Sequence, residues 1–216
     1  MPLTRIVAVR HGETAWNVQA RIQGQLDVAL NPRGQQQARR VAAALAQEEI
    51  AAIYSSNLLR AWDTALAIAD GAGLSVIPEP GLRERSFGDF EGMTFAEVDS
   101  QWPEQAARWR KREPHFAPNG GETLHQLRAR VMTALDSIAA QHLGQQIVLV
   151  THGGVLDTLY RAATGEDFST PRRWGIENAA INRLRWQAES FTLEAWGLTD
   201  HLKDEHHDRA LDESSA

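Results

Sequence analysis

The sequence predicts an α/β fold, a three-layer sandwich with a mostly parallel central sheet flanked by helices. Two observations carry that prediction. Short apolar runs rich in β-branched residues alternate along the chain with longer stretches of helical periodicity, the pattern of βαβ units. The clearest of the runs, Ile147-Val148-Leu149-Val150, is apolar throughout, as a strand covered on both faces should be.

Taken in order, Ile6-Val7-Ala8-Val9 reads as a buried first strand, too short for a helix of its own. Residues 14–27 are polar and aperiodic and read as a long loop, which in a compact domain is more often functional than idle. Asn31-Pro32-Arg33-Gly34 starts a helix carrying Val41 and Leu45, with Asn31 as its cap. A second strand spans residues 50–54 and ends at the turn-forming Ser55-Ser56-Asn57; a helix over 58–70 follows, stopped by Gly71 and Gly73. Residues 74–77 make a third strand, cut off by Pro78 and Pro80. A charged, glycine-punctuated loop covers 82–92, and short helices are expected at 94–100 and 103–112. Asn119-Gly120-Gly121-Glu122-Thr123 leads into an amphipathic helix whose stripe is Leu124, Leu127, Val131, Leu135 and Ile138. After the strand at 147–150, Thr151-His152-Gly153-Gly154 opens a helix to about Thr164, and residues 180–186 and 191–196 form a closing strand pair. Without repeats or linkers, residues 1–200 read as one domain and 201–216 as a charged, flexible tail.

Composition excludes several classes of function. With 43% hydrophobic residues the 216-residue chain has ample material for a core, and its formal charge of -6 argues against a general nucleic-acid binder. Any affinity for anions must come from a local cluster of arginines. There are no cysteines, which removes disulfides, cysteine nucleophiles and thiolate metal sites. No long apolar region follows Met1-Pro2-Leu3-Thr4-Arg5, so no signal peptide is read, and no apolar run approaches the ~18 residues of a membrane span. The expected location is the cytoplasm, with no membrane partner.

The junctions after the strands carry unusual chemistry. Arg10, His11 and Gly12 follow the first, Arg60 stands in the first turn after the second, Glu84 follows the third, and His152 the fourth. A parallel sheet gathers its strand ends along one edge, where ligands bind. The set suits phosphoryl transfer. Arg10 and Arg60 can hold a phosphate bidentately, with His152 as a further donor. Gly12, lacking a Cβ, lets backbone come close to an anion. With cations around it His11 should stay neutral and able to attack phosphorus. Glu84, with Phe87 and Phe90 near it in sequence to desolvate it, is the candidate to protonate the leaving group and later to deprotonate water. His152 also ends a strand and could attack in principle; the neighbouring Arg10, Gly12 and long loop favour His11.

Taken together these stretches resemble the histidine phosphatase superfamily, the phosphoglycerate mutase-like enzymes. The resemblance rests on Val9-Arg10-His11-Gly12-Glu13-Thr14 with Asn17, on Arg21-Ile22-Gln23-Gly24 with Asp27 and Leu30, and on the run from Ser55 to Ala65. It continues through Leu82-Arg83-Glu84, Gly120-Gly121-Glu122-Thr123 and Thr151-His152-Gly153-Gly154, in the family's order. It implies that His11 is phosphorylated and Glu84 moves the proton. It further implies a phosphate pocket of Arg10, Arg60 and His152, completed by Asn17, Gln23, Gly24 and Gly153. No metal or other cofactor is expected; the partner is a small phosphorylated metabolite, and a homodimer is left open.

Residues 85–112 depart from the mutases of that family and resemble its shorter phosphatases. A phosphomonoester hydrolase is therefore expected, with a cofactor-dependent phosphoglycerate mutase and a non-catalytic phospholigand-binding module as alternatives. Asp89 and Glu91 would repel the second anionic group a mutase must hold. Arg108, Arg110, Lys111 and Arg112 either reach over the pocket to the non-reacting end of a substrate or form a solvated face. Arg39-Arg40 and Arg172-Arg173 read as exposed charges, the seven tryptophans as packing residues, and His206-His207-Asp208 as solvated tail.

Overall fold

A computed structural model describes residues 2–203. Its one sheet has six strands: β1 (Thr4–Arg10), β2 (Ala52–Ser55), β3 (Val76–Pro78), β4 (Gln146–Thr151), β5 (Ile181–Gln187) and β6 (Ser190–Leu198). Their order is β3-β2-β4-β1-β5-β6. The first four are mutually parallel, and β5 and β6 form an antiparallel hairpin against β1.

Helices α2 (Pro32–Leu45) and α3 (Leu59–Ala72) cover one face of the sheet; α6 (Leu124–Ala140) and α7 (Gly153–Thr164) cover the other. Alternation along the strands builds both cores. Val7, Val9, Ile53, Val148 and Val150 point to the side of α2 and α3, while Ile6, Ala8, Tyr54, Ile147 and Leu149 point to α6 and α7. The amphipathic stripe expected on α6 is buried throughout. A third, smaller cluster of Ile22, Phe90, Val98, Ala106 and Phe116 lies over the carboxyl edge of the sheet. It carries α4 (Phe95–Gln101) and α5 (Pro103–Arg110), while α1 (Ala15–Val18) lies within the long loop.

The differences from the expected elements have local causes. The stretch read as an aperiodic loop holds α1 because Thr14 and Asn17 cap each other reciprocally. Strand β2 begins at Ala52, two residues late. Pro78 does not cut off β3 but ends it, on an edge strand where its missing N–H is tolerated. Gly71 lies inside α3, and Gly73 alone, with φ +66, is its left-handed cap. His201 and Leu202, assigned above to a tail, belong to the fold: they form a 3₁₀ turn, and His201 Nε2 meets Ala179 O at 3.0 Å. Residues 204–216 of the expected tail, with His206-His207-Asp208, lie outside the described residues.

Candidate active site

Parallel pairing sets Arg10 of β1 beside Thr151 of β4, so the next residue on each of the two central strands is a histidine. His11 and His152 are buried with ring centroids 5.2 Å apart. His11 Nδ1 lies 2.7 Å from Gly12 O, and because a carbonyl only accepts, Nδ1 carries the proton and Nε2 keeps its lone pair. His152 Nε2 lies 2.7 Å from Ser56 Oγ, which already accepts from Leu58 N. The Ser56 hydroxyl proton has no other acceptor among the described residues, so it is assigned to His152 Nε2, which leaves His152 Nδ1 as an N–H. That nitrogen is buried with no partner among the described residues. Burial, reinforced by Arg60 and Arg10, holds both imidazoles well below their usual range, so both are neutral near pH 7.

Two guanidiniums flank them, Arg60 buried and Arg10 half-buried with its Nε enclosed. Arg10 donates to Ile176 O, and Arg60, 1% exposed, donates to Leu26 O at 2.9 Å and Gly24 O at 2.7 Å. In each the Nε–H is buried with no partner among the described residues. Burial lowers both, Arg60 to about 10, and a guanidinium keeps its charge at neutral pH in a protein. Unsatisfied buried N–H groups on cations, beside a neutral imidazole, call for an anionic acceptor.

The long loop is docked by the same arginine. Arg60 holds its carbonyls, and Asp27 Oδ1 accepts from Leu59 N at 2.8 Å, capping α3 from outside the helix. Gly24 has φ +50, and a Cβ there would lie 2.1 Å from Glu91 Oε1. Gln23 is buried, its Oε1 accepting from Thr14 Oγ1 at 3.0 Å. Asn17 Oδ1 accepts from Thr14 N at 3.0 Å and from Asn178 Nδ2 at 3.3 Å, which leaves the Asn17 amide NH₂ as the group able to meet an anion. Gly12 is needed for a different reason from the one expected: a Cβ there would meet Gly34 O at 2.4 Å, so the close approach is to the start of α2.

Glu84 stands over the start of α7, its Oε1 accepting from Gly154 N at 3.0 Å and Arg85 N at 2.8 Å. Arg130 of α6 holds the preceding segment, donating to Gly81 O, Arg83 O and Glu84 O. Of the two phenylalanines expected to desolvate Glu84, Phe87 lines the cavity with it, while Phe90 is buried in the third cluster against Trp102.

Arg10, His11, Asn17, Gln23, Gly24, Arg60 and Glu84 line one cavity of about 330 Å³. His152 joins this group through its ring contact with His11, and Gly153 lines an adjoining cavity of about 290 Å³ that shares Glu84. Trp16 and Trp109 form part of the cavity wall, so these two do more than pack. Asp89 and Glu91 do not line it. Asp89 accepts from Asn119, and Glu91 accepts from the Gln25 and Phe87 amides, so neither carboxylate faces the cavity directly, although the Glu91 charge is felt at Arg60. Ser56, Arg130 and Asn178 escaped the sequence reading. Ser56 stood there as a turn residue, and Asn178, which also donates to His11 O at 2.9 Å, gives no sequence signal, lying 167 residues away.

The sequence profile of the histidine phosphatase superfamily (branch 1) matches residues 6–199. The chain belongs to that superfamily. This histidine phosphatase is 41% identical over 203 residues to phosphoglycerate mutase-like protein 4 of Arabidopsis thaliana, covering 92% of this chain and 87% of the relative. It is 39% identical over 203 residues to the metal-independent phosphoserine phosphatase of the same plant, covering 93% and 84%. Among solved structures, Bacillus stearothermophilus YhfR superposes with a TM-score of 0.85 at 32% identity, covering 93% of this chain and 100% of that one. No helix among the described residues is long and apolar enough to cross a membrane.

Proposed function

We propose that this histidine phosphatase hydrolyses a small phosphomonoester without a metal ion, through a phosphohistidine on His11. The observation that carries the reading is the tautomer of His11: its Nδ1–H is committed to Gly12 O, so Nε2 offers a lone pair inside a cavity walled by Arg10 and Arg60. In the first step the Nε2 lone pair forms the N–P bond as the P–O bond to the alcohol breaks. Glu84, protonated, gives its proton to the departing oxygen. In the second step water attacks phosphorus, Glu84 takes a proton from it, and the N–P bond returns its electrons to His11. Arg10, Arg60, the His152 Nδ1–H and the Asn17 amide neutralise the phosphoryl oxygens throughout. Gln23 and Gly24 shape the loop that bounds them. The proposed setting is the cytoplasm, which a cysteine-free chain suits.

The likeness to a phosphoglycerate mutase-like protein favours one second reading, transfer of the phosphoryl group to another hydroxyl instead of water. One experiment separates the two. The enzyme is given 3-phosphoglycerate with a trace of 2,3-bisphosphoglycerate in EDTA, and products are counted. Free phosphate with little 2-phosphoglycerate supports the hydrolase, and isomerisation without phosphate release rejects it. Wild type quenched in alkali should carry an acid-labile, alkali-stable phosphoryl group that His11→Ala lacks. A phosphoenzyme persisting in that variant would move the nucleophile elsewhere.

A further inference from the structure

We infer that the second cavity is an anion subsite for the non-reacting end of the substrate, read by Arg172, so that the enzyme takes phosphomonoesters whose alcohol half carries a second negative charge. This rests on the hydrolase reading above, since it assigns the other half of the same substrate.

Most of the charges in the cavity are already committed to partners. It shares Glu84, Phe87, Phe95 and Trp109 with the His11 cavity, so a molecule whose ester oxygen faces Glu84 extends its alcohol half into it. Arg85, Arg112 and Arg172 line it, against two carboxylates, Glu84 and Asp157. Arg85 is buried and donates to Glu122 O and Phe116 O. Arg112 donates to Phe168 O and pairs with Asp157, whose Oδ2 is shared with Arg161. One carboxylate thus lies between two guanidiniums and is neutralised. Glu84 faces the Gly154 amide. Arg172 has no hydrogen-bond or ion-pair partner among the described residues. It is exposed, so its fork is free to meet a solute in the cavity.

Arg172 also stands close to its like. Burial chiefly, and with it the nearby Arg172 charge, depresses Arg10 and Arg112. In a chain of net charge -6, a concave site holding an uncommitted guanidinium beside two others selects anions locally. The other arginines that sequence reading set over the pocket are turned away: Arg108 pairs with Glu113 and Arg110 with Asp99. The apolar walls, Phe87, Phe95 and Trp109, suit a short carbon skeleton between the two charged ends. At about 290 Å³ the space is of a size for a small acid.

The test uses 3-phosphoglycerate and glycerol 3-phosphate, which differ by a carboxylate against a hydroxymethyl group. The quantity is their ratio of kcat/KM, or of dissociation constants by calorimetry where an ester is not turned over. Because it is a ratio, general damage to a variant cancels. The wild type should favour the carboxylate by about tenfold, the scale of one charge-assisted hydrogen bond at a partly solvated site. Arg172→Gln should bring the ratio near one, Arg172→Lys should restore part of it, and Arg173→Gln, outside the cavity, should leave it at the wild-type value. A ratio unchanged in Arg172→Gln would overturn the assignment. So would an equal loss on both esters, which would set Arg172 on the reacting phosphoryl group. Failure of the wild type to hydrolyse an aryl phosphate would sink the hydrolase reading, while the dissociation constants would still judge the subsite.

Discussion

Ser56→Ala isolates the one contact that decides which way His152 faces its proton. Ser56 is fully buried, and its hydroxyl accepts from Leu58 N at 3.3 Å and donates to His152 Nε2 at 2.7 Å. Removing the oxygen leaves two buried groups short of a partner, a cost of about 1–3 kcal/mol. For a chain of this size that lowers Tm by roughly 3–10 °C. The effect on activity has a separate origin. With Nε2 released, the imidazole is free to carry its proton there, and Nδ1 then presents a lone pair where a donor is needed. Losing one donor to a charged phosphoryl group is worth about 1.5–3 kcal/mol, so kcat/KM should fall roughly tenfold to a hundredfold. The assay is aryl phosphate hydrolysis at pH 7, well below the melting temperature, with urea unfolding of the same samples. The inhibition constant of inorganic phosphate should rise in parallel. A variant that melts earlier yet keeps kcat/KM within about twofold of wild type would refute the reasoning and reduce Ser56 to a packing residue.

Other perturbations test the remaining parts. Glu84→Gln keeps a carbonyl oxygen for the Gly154 amide but cannot transfer a proton, so kcat should fall roughly 10²–10⁴-fold with KM little changed; a loss confined to KM would contradict the role. His11 and His152 are held neutral in the fold by burial and by neighbouring arginines. Below the unfolded imidazole pKa of about 6.5 only the unfolded chain takes up their protons, so stability should drop as pH falls, by up to about 1.4 kcal/mol per pH unit per histidine until each folded pKa is reached. Urea midpoints that stay level from pH 7 to 5 would argue against two buried neutral histidines. Gly12→Ala would press a Cβ to 2.4 Å from Gly34 O, and the backbone movement this forces at the start of α2 should cost at least 1–3 kcal/mol and most of the activity; a variant with wild-type stability would show that the contact yields without cost.

Glycine illustrates how far a residue type can be read before its neighbour is known. Gly12 was legible as a place where backbone must approach something closely, but not what approaches it, because Gly34 comes from the next helix. The same holds for the basic residues. Arg60 was legible from its place in the first turn after a strand. Arg108 read as a residue that could reach over the pocket and Arg172 as an exposed charge, and the fold turned the first to Glu113 and left the second on the rim of a cavity.

What the sequence determined by itself is what nearest neighbours along the chain can encode. The helical stripe of α6, the buried run of β4, the cap at Asn31 and the histidines after two strands depend on spacings of a few residues, and each lies where the pattern put it. Only the tertiary structure decided which partners those residues meet. Ser56 and His152 are 96 residues apart, and Asn178 is 167 from His11. Their meeting follows from the order β2-β4-β1-β5, which sets Ser55 against Val150 and Arg10 against Thr151 and returns the chain past Asn178 to pair β5 with β1. That order is chosen by the burial of two opposed apolar faces at once, a property of the assembled sheet that no local window contains.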